Sequence, residues 1–205
     1  MLTGELRSKI DAVWNAFWTG GISNPLEVIE QITYLLFVRG LDDAQMNHDN
    51  QVTRFGSATV PAVFPQGEDA RGRAYRDLRW SVLKERAPAE MFTIVADHVF
   101  PFLRDMGEAG TSHAEHMKGA RFTIPTPALL AKVVDMLADI PMDDRDTKGD
   151  LYEYMLGKIA SAGTNGQFRT PRHIIQLMVE LMAPTPTDVI CDPAAGTAGF
   201  LVAAG

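Results

Sequence analysis

The most constraining stretch of this chain lies near its end. Thr187-Asp188-Val189-Ile190-Cys191 is a short run rich in β-branched residues. It is followed at once by Asp192-Pro193-Ala194-Ala195-Gly196-Thr197-Ala198-Gly199 and then by the apolar Phe200-Leu201-Val202. A buried strand, a turn of small residues and the start of a helix form the nucleotide-type site of open α/β sheets. Gly196 and Gly199 allow a sharp turn and the close approach of a ligand. Backbone N–H groups of such a turn can hold a carboxylate or phosphate. Asp192, at the strand end, repels a pyrophosphate and attracts an ammonium or sulfonium group. The ligand chemistry therefore points to S-adenosylmethionine rather than a dinucleotide. The spacing is not that of the dinucleotide fingerprint, and no lysine follows the second glycine as the Walker pattern requires.

Upstream of this block the chain reads as helical. Leu6, Ile10, Val13, Trp14, Phe17 and Trp18 fall at helical spacing, and Gly20-Gly21 closes that helix. Asn24-Pro25 starts a second helix, expected to end near Met46. An irregular connection is expected over 47–73, a helix over 77–85, and one from Pro88 to about Met106 kinked at Pro101. Thr126-Pro127 opens a helix to about Asp139, and another spans 150–160. Thr170-Pro171 is expected to cap a last full helix, Arg172 to Met182. The fold class is thus mainly α: a helical N-terminal domain, 1–145, followed by the start of a Rossmann-like α/β domain, 146–205.

Charge excludes one simple reading. The net charge is −7 over 205 residues, which argues against a chain that coats nucleic acid. Arg71, Arg73, Arg76, Arg79, Lys84 and Arg86 are set against Asp77 and Glu85, a window of +4 that leaves −11 for the rest. A solvated loop and helix around a buried Trp80 is favoured there over a phosphate contact. No apolar run reaches the roughly 18 residues of a membrane span, and no signal peptide is visible. With a single cysteine, Cys191, the expected compartment is the cytoplasm. His113 and His116 flank Glu115 without a third ligand, so no metal site is expected. Asp144 to Gly149 lacks the ligands of a calcium loop. His48, His98 and His173 have no partners visible in sequence.

The Asp192–Leu201 string resembles the first cofactor motif of the methylation subunits of type I restriction–modification systems, the HsdM-like N6-adenine methyltransferases. Gly166-Gln167-Phe168-Arg169-Thr170-Pro171-Arg172 is similar to the motif that precedes it in that class. Gly149–Leu156, Asp77–Trp80 and Val99–Leu103 are similar to the family's helical segments. The resemblance implies that Gln167, Phe168, Arg169, Thr170, Pro171 and Arg172 line the methionine side of S-adenosylmethionine. It also implies that Asp192, Gly196, Thr197, Ala198 and Gly199 form the turn beneath it. Many relatives have glycine at the position of Ala198, and Arg169 stands where an aromatic is more common. The implied activity is methyl transfer to adenine N6 in duplex DNA. The implied partners are a specificity subunit and, further, a restriction subunit. The family's Asn-Pro-Pro-aromatic motif, which takes the flipped adenine, does not occur in these residues. The segment therefore holds no catalytic residue, reads as a fragment, and is expected to be inactive alone. A helical module for binding protein or DNA, with an inactive cofactor segment, is the competing reading.

Overall fold

The computed structural model describes residues 4–106, 117, 119–142, 145–161, 170–195 and 198–205, with backbone only for 145–148 and 159–161. It divides into two compact units, Met1–Ile159 and Ala160–Gly205. The described residues are mainly helical, as the periodicity indicates, with no strand beyond one antiparallel bridge between Glu68 and Ala74.

In the first unit, α1 (Gly4–Thr19) buries Ile10, Val13, Trp14, Ala16 and Phe17 along one stripe. It stops at Gly20, whose missing side chain is a packing requirement. A Cβ there would lie 2.4 Å from Leu129 Cδ2. Leu129 belongs to α6 (Pro127–Ala138), which opens on Thr126, whose side chain accepts from the Leu129 N–H. Helix α2 spans Pro25–Phe55, and the Asn24 side chain accepts from the Leu26 N–H. Its first half supplies the core residues Val28, Ile32, Leu35, Leu36 and Val38. Its polar groups serve other segments. Arg39 donates to the carbonyls of Leu137 and Ile140 at 2.7 and 2.8 Å, closing the end of α6. Gln31 holds the 121–123 backbone from both sides, donating to Arg121 O and accepting from Thr123 N.

Helix α2 runs nine residues beyond the expected end at Met46. The apolar period does lapse there, but no glycine or proline intervenes before Gly56, which caps the helix at φ 75°. Polar contacts replace the missing apolar stripe. Gln45 donates to Asp49 at 2.7 Å, and its carbonyl oxygen accepts from the Val63 and Phe64 N–H groups.

The expected helix over 77–85 is also revised. It is a 3₁₀ turn, Tyr75–Leu78, then a break at Arg79, then α3 (Trp80–Leu83). The break follows from the ion pair that Arg79 makes. Its Nε donates to Asp42, its Nη1 to Asp49 at 3.0 Å, and Asp42 Oδ2 accepts the Ser81 N–H at 2.7 Å. Asp42, 2% exposed, thus caps a helix to which it does not belong.

The long helix after Pro88 is interrupted as expected around Pro101. It consists of α4 (Pro88–Ile94), a π turn (Val95–Val99) and α5 (Phe100–Asp105). Pro101 has no N–H for the carbonyl four residues back, and that carbonyl, of Asp97, accepts from Arg71 at 2.9 Å. His98, on the same turn, lies 2.6 Å from Asp69. Asp69 also accepts the N–H groups of Arg71 and Arg73, so the loop is fastened to the π turn.

Helix α7 (Arg145–Ser161) adds Leu151 and Met155 to the first unit's core. Asp11 accepts from Tyr154 at 2.7 Å and pairs with Lys158 at 2.6 Å, while Lys158 also lies over the Trp14 ring. The basic window is spent within the fold. Arg71 pairs with Asp97, Arg73 and Arg86 share Asp77 and Glu90, and Lys84 lies 3.7 Å from Glu85. Arg76 is the most exposed, with its side chain 4.0 Å from Asp77, and Trp80 is buried. This matches the solvated loop and buried tryptophan favoured from sequence. His113, Glu115, His116 and Asp144 lie outside the described residues.

In the second unit, α8 (Arg172–Met182) agrees with expectation in its bounds, but its cap is Pro171 rather than Thr170. Pro171 keeps an extended ψ of 141°, and its carbonyl accepts from Ile174 and Ile175. The expected buried strand at Thr187–Cys191 is not formed. Val189 is 98% exposed and Ile190 46%, and no described segment pairs with them. A parallel strand has no ladder without a neighbour.

Two outcomes test this account. Asp42→Ala leaves the Arg79 guanidinium half-enclosed and the Ser81 N–H without its acceptor. It should cost about 3–5 kcal/mol in chemical denaturation. Acid should also weaken the fold. At Asp11 and Asp69 burial is the largest single influence and pushes the carboxyl up, but the donors together outweigh it: Lys158 and Tyr154 for Asp11, the Arg73 N–H and His98 for Asp69. At Asp49 the Gln45 amide leads, against burial, with help from His48 and Arg79. All three therefore lie below the ordinary aspartate value of about 4. Their contribution is complete above that pH and is lost as the pH falls through the depressed folded values. Melting temperature should drop on acidification below about pH 4, and less steeply in Asp11→Asn.

Candidate cofactor site

The second unit carries the candidate site. Of the residues expected to line it, Thr170, Pro171, Arg172, Asp192, Ala198 and Gly199 are described, while Gln167, Phe168, Arg169, Gly196 and Thr197 lie outside the described residues. The described ones fall into two groups. Thr170, Pro171 and Arg172 lead into α8 and are exposed. Asp192, Ala198 and Gly199 belong to the turn that leads into α9 (Gly199–Ala204).

The turn is shaped by its own polar groups. Asp192 Oδ1 accepts the Ala194 N–H at 3.0 Å, an Asx turn that commits one carboxylate oxygen and leaves the other without a partner among the described residues. Ala198 sits in the left-handed region, φ 60° and ψ 27°. Its N–H donates to Ala195 O at 2.6 Å, and its carbonyl accepts the Val202 N–H at 2.9 Å, which begins α9. Upstream, Asp188 accepts from both the N–H and the hydroxyl of Thr185. These two bonds hold its carboxyl below the usual aspartate range. Sequence reading gave Asp188 no role beyond the strand, although an acid three residues after a threonine in a proline-rich stretch is a turn signal.

Gly199 has a different neighbour from the one its motif suggests. A Cβ on it would lie 3.0 Å from Ile175 Cδ1 of α8. Ile175 is the buried residue of that helix, and it packs under the turn. In sequence it was one of six apolar positions on α8, with nothing to mark it. Chemically, the described turn can present one open carboxylate oxygen beside a backbone bare of large side chains.

The family model of the HsdM N-terminal domain matches residues 6–137, and that of N-6 DNA methylases matches 143–205. The chain belongs to the HsdM family of type I restriction methylase subunits. It is 48% identical over 177 residues to the type I restriction enzyme StySJI methylase subunit of Salmonella typhimurium, covering 80% of this chain and 32% of the relative. It is 39% identical over 172 residues to the StySPI methylase subunit of Salmonella potsdam, again 80% of this chain and 32% of the relative. The chain thus spans about a third of the length of these curated relatives. A modification subunit from Vibrio vulnificus YJ016 shares the fold at TM-score 0.65 and 24% identity, over 97% of this chain and 44% of that one. A chain of a type I restriction–modification system does so at 0.66 and 23%, over 98% and 40%. The candidate site falls within the stretch matched by the methylase model.

The left-handed alanine of this HsdM-family turn gives a prediction. Ala198→Gly should relieve backbone strain and raise stability by roughly 1 kcal/mol, offset in part by glycine's larger unfolded entropy. Thermal unfolding measures it, and a lower melting temperature in Ala198→Gly would contradict the turn geometry.

Proposed function

We propose that this chain is the N-terminal part of the modification subunit of a type I system, a cytoplasmic enzyme that transfers methyl from S-adenosylmethionine to adenine N6 in duplex DNA. One observation carries the reading: the N-6 DNA methylase model covers 143–205, and the small-residue turn with its acid lies inside that range. The division at 1–145 and 146–205 belongs to the same proposal.

The described residues are compatible with the cofactor. Asp192 keeps an oxygen for a cationic group, and Ala194, Ala195, Ala198 and Gly199 leave the backbone accessible. In this reading Gln167 to Arg172 line the methionine side, and Gly196 and Thr197 complete the turn. S-adenosylmethionine, when bound, supplies an electrophilic methyl group on a sulfonium. The residues of this chain bind and orient it, and rate comes mainly from holding the target amino group in line with that methyl. The flipped adenine would be held by residues outside this sequence. Other parts of the assembly, a specificity subunit first and a restriction subunit further, would select the DNA site. No helix among the described residues is long and apolar enough to cross a membrane.

The test uses the full-length subunit and labelled S-adenosylmethionine. Label should enter adenine-containing duplex when the specificity subunit is present. Gly196→Val should abolish cofactor binding in a calorimetric titration, because a branched side chain blocks the approach and restricts the turn. Equal affinity for wild type and variant would place the cofactor elsewhere. Residues 1–205 alone should transfer no methyl and bind the cofactor at least about tenfold more weakly, the loss of one charge-assisted hydrogen bond.

A further inference from the structure

We propose that Ile175 is a positioning residue for the cofactor turn, and that Gly199 is glycine to admit Ile175 rather than a ligand. The inference rests on the cofactor reading above. Gly199 has no positive φ, so its own backbone does not call for glycine. It is the first residue of α9, where alanine is the better helix former. What a side chain would meet is the neighbour: Ile175 Cδ1 would stand 3.0 Å from a Cβ at this position, tighter than an ordinary contact, so Ile175 would have to give by a few tenths of an ångström.

Ile175 is well placed to fix the turn. It is 8% exposed, whereas Ile174, Leu177, Met178, Leu181 and Met182 on the same helix are all exposed. The contact between α8 and α9 therefore converges on it. It lies three residues beyond Arg172, the end of the Gly166–Arg172 motif, and lies against Gly199 of the Asp192–Leu201 motif. One methyl group thus joins the two sequence blocks, and it does so immediately after Ala198, the left-handed residue on which the turn's exit depends. A side chain at 199 would make Ile175 Cδ1 give by a few tenths of an ångström at the point where the turn enters α9.

The test is a double-mutant cycle in the full-length subunit with its specificity subunit. Gly199→Ala adds the Cβ, and Ile175→Val removes Cδ1 alone. Gly199→Ala should raise the KM for S-adenosylmethionine about tenfold while kcat at saturating cofactor stays near wild type. Ile175→Val, which removes the contacting methyl, should itself raise that KM about threefold, and the double variant should stay near that value rather than show the product of the two losses, so the two changes are strongly non-additive. Amide exchange at 198–202 should quicken in Gly199→Ala and recover in the double variant. Unchanged cofactor KM in Gly199→Ala, or losses that simply add in the double variant, would overturn the role of Ile175 while leaving the cofactor reading intact. A wild-type subunit that binds no S-adenosylmethionine would overturn the cofactor reading first, and the inference with it.

Discussion

The first unit depends on the ion pair between Asp42 and Arg79. Burying a carboxylate is costly, and one partner alone rarely compensates. Here the carboxylate has two: a guanidinium on one oxygen and the Ser81 N–H on the other. Arg79 in turn reaches Asp49, about two turns further along α2. The network fixes three features at once. It carries α2 past the end of its apolar stripe, it breaks the 75–83 segment into a 3₁₀ turn and a short helix, and it seats Trp80 in the core. Apolar burial could have driven the same segments together, but it is non-directional. The charges decide where each helix starts and stops.

The same division of labour recurs around the unit. Apolar positions select which faces meet, and polar side chains on one element finish the backbone of another. Arg39 closes the end of α6, Gln31 holds the 121–123 segment, Gln45 takes two N–H groups at 63 and 64, and Arg71 takes the carbonyl that Pro101 leaves. Each satisfies a backbone group that its own element leaves without a partner. The basic window follows the same rule within a chain of net charge −7. Its arginines are committed to Asp42, Asp77, Glu90 and Asp97.

What could be read from sequence follows from this. Helices set by local rules were legible: α1 by its stripe and α6 by Thr126-Pro127, whereas at Pro101 the helix continues after a π turn rather than breaking. Elements set by distant partners were not. The far end of α2 and the break at Arg79 depend on a contact between residues 37 apart, which no window of local periodicity contains. His98 meets Asp69, 29 residues away, for the same reason, although it has no partner visible in sequence. The strand at Thr187–Cys191 was a different error. Its β-branched residues describe a strand suited to a sheet, but a sheet is a property of several segments, and the described ones supply none. For the cofactor segment, the family was legible and the methylase model covers it, whereas the packing partner of its last glycine was not.

Two glycines show why a motif alone does not settle what a glycine is for. Gly20 follows a helix and Gly199 begins one, and sequence reading gave them a stop signal and an opening for a ligand. In the structure each faces an aliphatic side chain from another helix, Leu129 in one unit and Ile175 in the other. A glycine at a left-handed position is favoured by its own backbone whatever surrounds it, as at Gly56 with φ 75°. A glycine required by a neighbour can be replaced once the neighbour is trimmed. Gly199 is of the second kind, while the left-handed position beside it is filled by alanine. The strain of the turn and the closeness of its packing thus fall on adjacent residues. An argument for ligand binding that rests on glycine count would assign both to the wrong cause.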